Sequence, residues 1–480
     1  MGLAYRFFCF QRKKPAFTAK MILTRISYDM IPTLRIALFF IFTLLATTEV
    51  LASQALASVS LTSEVLTSDK TKNPTVLKIT ADDKLQQIID GAQSGTILEL
   101  SPGLYKGNFK INQTVHLFGQ DGVIFDANGQ GDVLRVSAPD VQIESLTIRN
   151  WGDDLTEMNA GIFVERTANN ILIRNNNLKG DTTGIWISKN SGAKVLNNKV
   201  QGNLNLRSTD RGNGIHLSNA TYAEVRGNEV WHTRDGLYII SSQHNILTEN
   251  KLHDLRYGVH YMYSHSNTVT NNYTQRTRAG YALMQSRSLI VTGNTAIESE
   301  DYGILLNFIT HSTLENNQID GVHQSEARNV DGADGKGFFI YNSLQNKIQN
   351  NYIAHAEIGI HLTAGSEGNS ISGNSFINNQ IQVKYVATRT QEWSIDGLGN
   401  FWSNYLGWDM NNDNIGDNFF EPNDSIDKLF WTFPQAKTLM DSPAILLLRF
   451  IQRQFPVLKS PGVRDSFPLM SMPFTLRDHQ

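Results

Sequence analysis

The sequence predicts an all-β protein: a right-handed, single-stranded parallel β-helix of about 22-residue coils, with a short N-terminal capping helix and a helical C-terminal segment. Three observations predict it. Coil-opening positions recur at Gly161, Gly184, Gly214, Gly236, Gly258, Gly280, Gly303, Gly337, Gly359 and Ile381, 22 or 23 residues apart. Two polar insertions, 201–213 and 320–336, lengthen one interval each to 30 and 34. Within a coil, the first and third residues after the glycine are mostly apolar, as in Leu237/Ile239 and Val259/Tyr261, which is the period of a strand with one buried face. The fourteenth is asparagine in coil after coil: Asn175, Asn198, Asn228, Asn250, Asn272, Asn294, Asn317 and Asn351, with Asn374 displaced by one. One coil is too short to bury its own apolar face, so neighbours must stack, and stacked asparagines make an amide ladder. The hand follows the crossover preference. A helical repeat would need apolar spacings of three and four, which the coils lack.

The N-terminus reads as a secretory signal peptide over residues 1–57. Seven Lys and Arg precede an apolar run from Ile36 to Ala46, and Ala55-Leu56-Ala57 offers a cleavage site near Ala57. Met21 or Met30 as the start would give a more usual length. An uncleaved anchor is the rival reading, but the run is short of the roughly 20 residues a span needs. Taking the leader's seven basic and two acidic side chains from the totals of 42 and 45 leaves an exported chain near −8. That balance excludes nucleic acid as a partner. Cys9, the only cysteine, leaves with the leader, so the mature chain holds no disulfide or thiolate, and a transition metal must use His, Met or carboxylates.

Residues 58–74, rich in Ser and Thr, read as a linker. Asp82 or Asp83 is expected to cap a short helix through Leu85, Ile88, Ile89 and Ala92, which covers the open end of the sheets. The β-helix with this cap is assigned to 75–385. Residues 386–480 form a capping or docking region, in which a helix capped by Ser442, with Pro443 in its first turn, presents Ile445, Leu448 and Ile451. Two roles stand for that helix: closing the last coil, or docking onto a membrane-embedded partner.

Candidate sites follow from the outward positions, two and four after each glycine. Trp186, His216, Tyr238 and His260 share one row, an apolar and aromatic face of the kind that receives a partner. His260 and Met262 lie about 6.5–7 Å apart along one strand, and Met284 stacks about 4.8 Å from Met262 in the next coil. Imidazole with thioethers suits Cu(I), and His265 in the following turn could add a fourth ligand. The plainer reading is that the methionines fill a groove. Asp409, Asn411, Asp413 and Asp417 resemble the first half of a calcium loop, although Phe420 stands where the twelfth-position glutamate belongs; an Asx-stabilised turn is the alternative. A polysaccharide-binding, lyase or epimerase β-helix was the competing function class. The carboxylates Asp235, Glu249 and Asp254 fall in turns on this reading, no acid/base pair emerges, and no catalytic residue is assigned.

The segments RDGLYI, RYGVHYMYSHSN, GYALMQSRSLIVTGN and DYGILLN resemble the NosD family. So do GNFWSNYLGWD, EPNDSIDKLFW, SPAILLLRFIQRQFPVL and PGVRDSFPLM toward the C-terminus. The resemblance implies a non-enzymatic protein of the periplasm, held at the inner membrane through an ABC transporter permease and its ATPase. It also implies work with a copper chaperone lipoprotein in assembling the copper–sulfur centre of nitrous oxide reductase, with copper, as transient Cu(I), the implied metal. Whether the β-helix carries copper or serves as scaffold stays open at this level.

Overall fold

The computed structural model describes residues 74–325, 334–363, 365–385, 389–440, 442–455 and 461–473. The expected signal peptide and the linker before Pro74 lie outside the described residues, as does 326–333 of the second insertion.

The alternating strands form two long parallel sheets, of thirteen and twenty-three strands, each strand pairing in register with its equivalent one coil on. One inward column of the first sheet runs Ile173, Val195, Val225, Leu247, Val269, Val291, Leu314, Ile348 and Ile371. All of these are buried in one continuous core. Each coil completes its neighbour's hydrogen bonds and covers its apolar face. The architecture is the right-handed parallel β-helix that the repeat predicts.

The asparagines do stack, with one change of member. Side-chain amides link Asn176, Asn198, Asn228, Asn250, Asn272, Asn294, Asn317, Asn351, Asn374 and Asn400, each Nδ2 donating to the next Oδ1 at 2.8–3.0 Å. Asn176 takes the place expected of Asn175, whose φ of 57° belongs to the preceding turn. Asn374 keeps its place in the ladder despite its shift in sequence. The ladder ends beyond the last regular repeat, where Asp465 accepts from the Asn400 backbone N–H at 2.7 Å and from Trp402 Nε1 at 2.8 Å. The distal PGVRDSFPLM segment thereby seals the last coil.

The glycine column marks a corner. Alternation alone would send Asp235 inward with Leu237, yet its carboxylate meets His260, an outward residue of the next coil. The chain therefore turns at Gly236. A Cβ there would lie 2.6 Å from the carbonyl oxygen of Gly258 and about 3 Å from Leu255 and Leu252. The same clash with the next coil's carbonyl recurs from Gly161 to Gly359, and side chains enter the column only at its ends, where Val133 faces Gly161 and Gln382, not the expected Ile381, faces Gly359.

At the N-terminal end, helix α1 (Leu85–Gly91) buries Leu85 and Ile89. Neither aspartate caps it: Lys84 is its N-cap residue, and Asp83 accepts from the Thr80 backbone N–H and hydroxyl in the turn before. At the other end lie α2 (Ser425–Thr432) and α3 (Pro443–Gln454). Ser442 caps α3 as expected. Ile426, Phe430 and Ile445 make a small core between the two helices, and Arg449 ties Asp424 and Asp427. Among the described residues no helix is long and apolar enough to cross a membrane.

Candidate metal-binding groove

The corner at the glycine column makes a concave outer face, with the position before each glycine on one wall and position two on the other. Along the second wall the rings follow one another: Phe163 stacks on Trp186 at 6.0 Å, and tilted contacts join Trp186 to His216 at 4.0 Å, His216 to Tyr238 at 4.8 Å and Tyr238 to His260 at 4.7 Å. The expected open face is instead largely self-covered. His216 is 6% exposed and His260 8%, and beyond them Ala282 and Leu305 are buried. The first wall, folded over by the corner, is what covers them: Tyr257 meets His260 edge-on at 5.1 Å.

His260 is held firmly. Its Nδ1 lies 2.8 Å from Oδ2 of Asp235, and Arg256 donates to both oxygens of that carboxylate, Nε at 2.8 Å and an amino group at 2.5 Å. Burial pushes the Asp235 carboxyl up, but hydrogen bonds from His260 and Arg256 outweigh it and hold the group below its ordinary value. An ionised carboxylate only accepts, so Nδ1 of His260 is the donor and its Nε2 is the nitrogen turned away from Asp235. That Nε2 is buried and has no hydrogen-bond partner among the described residues. A carboxylate fixing one imidazole nitrogen while the other stays free is the arrangement of metal-bound histidine.

Met262 shares the strand Lys251–Met262 with His260 and stands in register with Met284 one coil on. Met284 also packs on the apolar patch of Ala279, Ala282 and Leu305. His265 lies past the end of that strand. Burial and the neighbouring charge of Arg287 lower its pKa, and its Nδ1 is buried without a hydrogen-bond partner among the described residues. Among the described residues no three His, Cys, Asp or Glu side chains converge as a metal site, so a metal here would have to draw on the methionine sulfurs.

Sequence reasoning missed Asp235 and Arg256. Asp235, expected in a turn, opens the strand Asp235–Ile240 and is 1% exposed. The signal was present in the spacing: 21 residues separate the pair, one short of the coil period, which joins the position before one glycine to the position two before the next.

Elsewhere, the acidic loop turns its oxygens inward. Asp409 accepts from the backbone N–H groups of Asp413 and Asn414, Asp413 from Ile415, and Asp417 from Met410, while the Asn411 amide donates to Asp413. This is an Asx-braced turn. On α3, Ile445 is spent on the contact with α2 and Ile451 is half-buried, leaving Leu448 alone of the three expected residues exposed. The free apolar face is instead Leu446, Leu447, Leu448, Phe450 and Phe455, between 44% and 62% exposed.

Comparison with known proteins adds the family. A family model described as "Periplasmic copper-binding protein (NosD)" matches residues 196–407. A Pseudomonas aeruginosa protein named "Probable ABC transporter binding protein NosD" is 54% identical over 376 residues, 78% of this chain and 88% of that one. A Stutzerimonas stutzeri protein of the same name is 49% identical over 394 residues, 79% and 90% of the two chains. Among solved structures, a DFA-IIIase from Arthrobacter chlorophenolicus is 13% identical with a TM-score of 0.47, covering 65% of this chain and 99% of that one, too distant to bear on function. On the strength of the two close relatives and the matching β-helix, the chain belongs to the NosD family.

Proposed function

We propose that this chain is an exported, non-enzymatic accessory protein that receives copper in the periplasm and works against an ABC transporter, in assembling the copper–sulfur centre of nitrous oxide reductase. The observation that carries the reading is the buried Nε2 of His260, without a hydrogen-bond partner among the described residues, backed by Asp235 and two residues along the strand from Met262. Imidazole with thioethers is a soft donor set, suited to Cu(I). Copper is cargo in this scheme: His260, Met262 and Met284 take it from a copper chaperone lipoprotein, while Asp235 and Arg256 keep the imidazole oriented. The relatives' name as transporter-binding proteins and the free apolar face of α3 support docking onto the permease, which keeps the protein at the inner membrane.

The test replaces His260, Met262 and Met284 together and follows both Cu(I) binding by the purified protein and copper loading of the reductase. Loss of both is expected; normal loading by the triple variant sinks the reading.

A further inference from the structure

A second imidazole on the same wall has no role in the scheme above. His216 is 6% exposed, and neither of its ring nitrogens has a hydrogen-bond partner among the described residues. A buried polar group left unpaired is destabilising, so such a group calls for a ligand or a reason. Burial pushes its pKa down to about 3, so at neutral pH it is an uncharged imidazole with one free lone pair. Its walls are aromatic: Trp186 on one side at 4.0 Å and Tyr238 on the other at 4.8 Å. Such ring faces favour a cation. The negative charge of Asp235 opposes the effect of burial, and His260 adds to that effect. The Arg256 guanidinium, by contrast, is turned to the Asp235 carboxylate and the face of Tyr257, its carbon 4.4 Å from that ring centre.

We infer that His216 is a second station for a soft monovalent cation, two coils from His260 and on the far side of the Tyr238 ring. The inference rests on the copper reading proposed above and deepens it. Asp235 serves both stations: it orients His260 by a hydrogen bond and lends His216 a negative potential. Cu(I) moving between the two imidazoles keeps its oxidation state, so the transfer needs no electron donor or acceptor. The groove then acts as a short path with two resting points, in which Tyr238 separates the stations.

The test uses the purified mature chain. Cu(I), supplied as its acetonitrile complex, is titrated in competition with bicinchoninate for the wild type, His260→Gln and His216→Gln. Each variant is expected to bind one equivalent fewer than wild type, with a thermal midpoint close to it. In parallel, Ag(I) added to ¹⁵N-histidine-labelled wild type is expected to shift one ring nitrogen of His216 as well as Nε2 of His260. That measurement decides the matter if His216→Gln does not fold. A wild type that takes up neither metal overturns the copper reading itself. A wild type that binds copper at His260, with an unmoved His216 resonance and an unchanged equivalence in His216→Gln, overturns only the second station.

Discussion

The imidazole of His260 hangs from the carboxylate of Asp235, Nδ1 to Oδ2 at 2.8 Å, across one turn of the coil. Asp235 is thereby shared between His260 and Arg256 in a groove that excludes water from it. Replacing Asp235 with Asn leaves the Arg256 charge without its partner. Breaking one member of a buried ion pair costs about 3–5 kcal/mol. Urea unfolding is expected to show a loss of that size for Asp235→Asn, and part of it is expected to return in the double variant Asp235→Asn/Arg256→Met. Additive losses in the double variant contradict the shared arrangement.

His216 makes stability depend on pH. Its folded pKa of about 3 lies below the ordinary value near 6.5, so the unfolded chain binds the proton first. Stability from this group is complete above pH 6.5 and falls as the pH drops toward 3, by up to about 1.4 kcal/mol per pH unit. Urea midpoints measured between pH 7 and pH 4 are expected to fall less steeply in His216→Phe than in the wild type.

The amide ladder is expected to be costly to interrupt. Asn272 accepts from the Asn250 backbone and side chain, and donates to Leu247, Thr270 and Asn294. Asn272→Ala leaves several buried partners unpaired and is expected to lose about 3 kcal/mol or more. Asn205→Ala, in the exposed insertion, is expected to stay within about 0.5 kcal/mol of wild type. Thermal melts of the two variants make the comparison.

The corner glycines predict a sharp contrast. A Cβ on Gly258 would lie 2.6 Å from the Gly280 carbonyl oxygen and 2.5 Å from Thr274 Cγ2, whereas one on Gly91 meets nothing within 4 Å. Gly258→Ala is expected to cost more than about 3 kcal/mol, and Gly91→Ala to be neutral or slightly stabilising. Soluble yield and thermal midpoint read both.

On α3, docking and folding separate by residue. Ile445 is 7% exposed, so Ile445→Ala is expected to loosen the helix pair by about 2–4 kcal/mol. Leu447→Glu and Phe450→Glu, at 58% and 59% exposure, are expected to leave the melt unchanged and to abolish co-purification with the transporter. Retained co-purification places the docking surface elsewhere.

The sequence carried the fold with little loss, because a repeat states each contact many times over: inward aliphatics, corner glycines and ladder asparagines recur at fixed offsets. His260, Met262 and Met284 were also legible, since strand alternation puts them on one outward face. Asp235 and Arg256 were not, because alternation is a rule for straight strands and the chain bends at Gly236. The apolar face of α3 was placed slightly wrong for a similar reason: helical spacing identifies a stripe but not which side a neighbouring helix will cover.

By itself, then, the sequence determined the parallel β-helix, its period and its family, since local pattern and stacking along one axis are properties of the chain. Tertiary structure alone decided that the outward histidines are buried, that an aspartate fixes one of them, and which leucines of α3 remain free. Those depend on where two walls meet at a corner, and a corner brings together residues whose spacing matches neither strand nor coil.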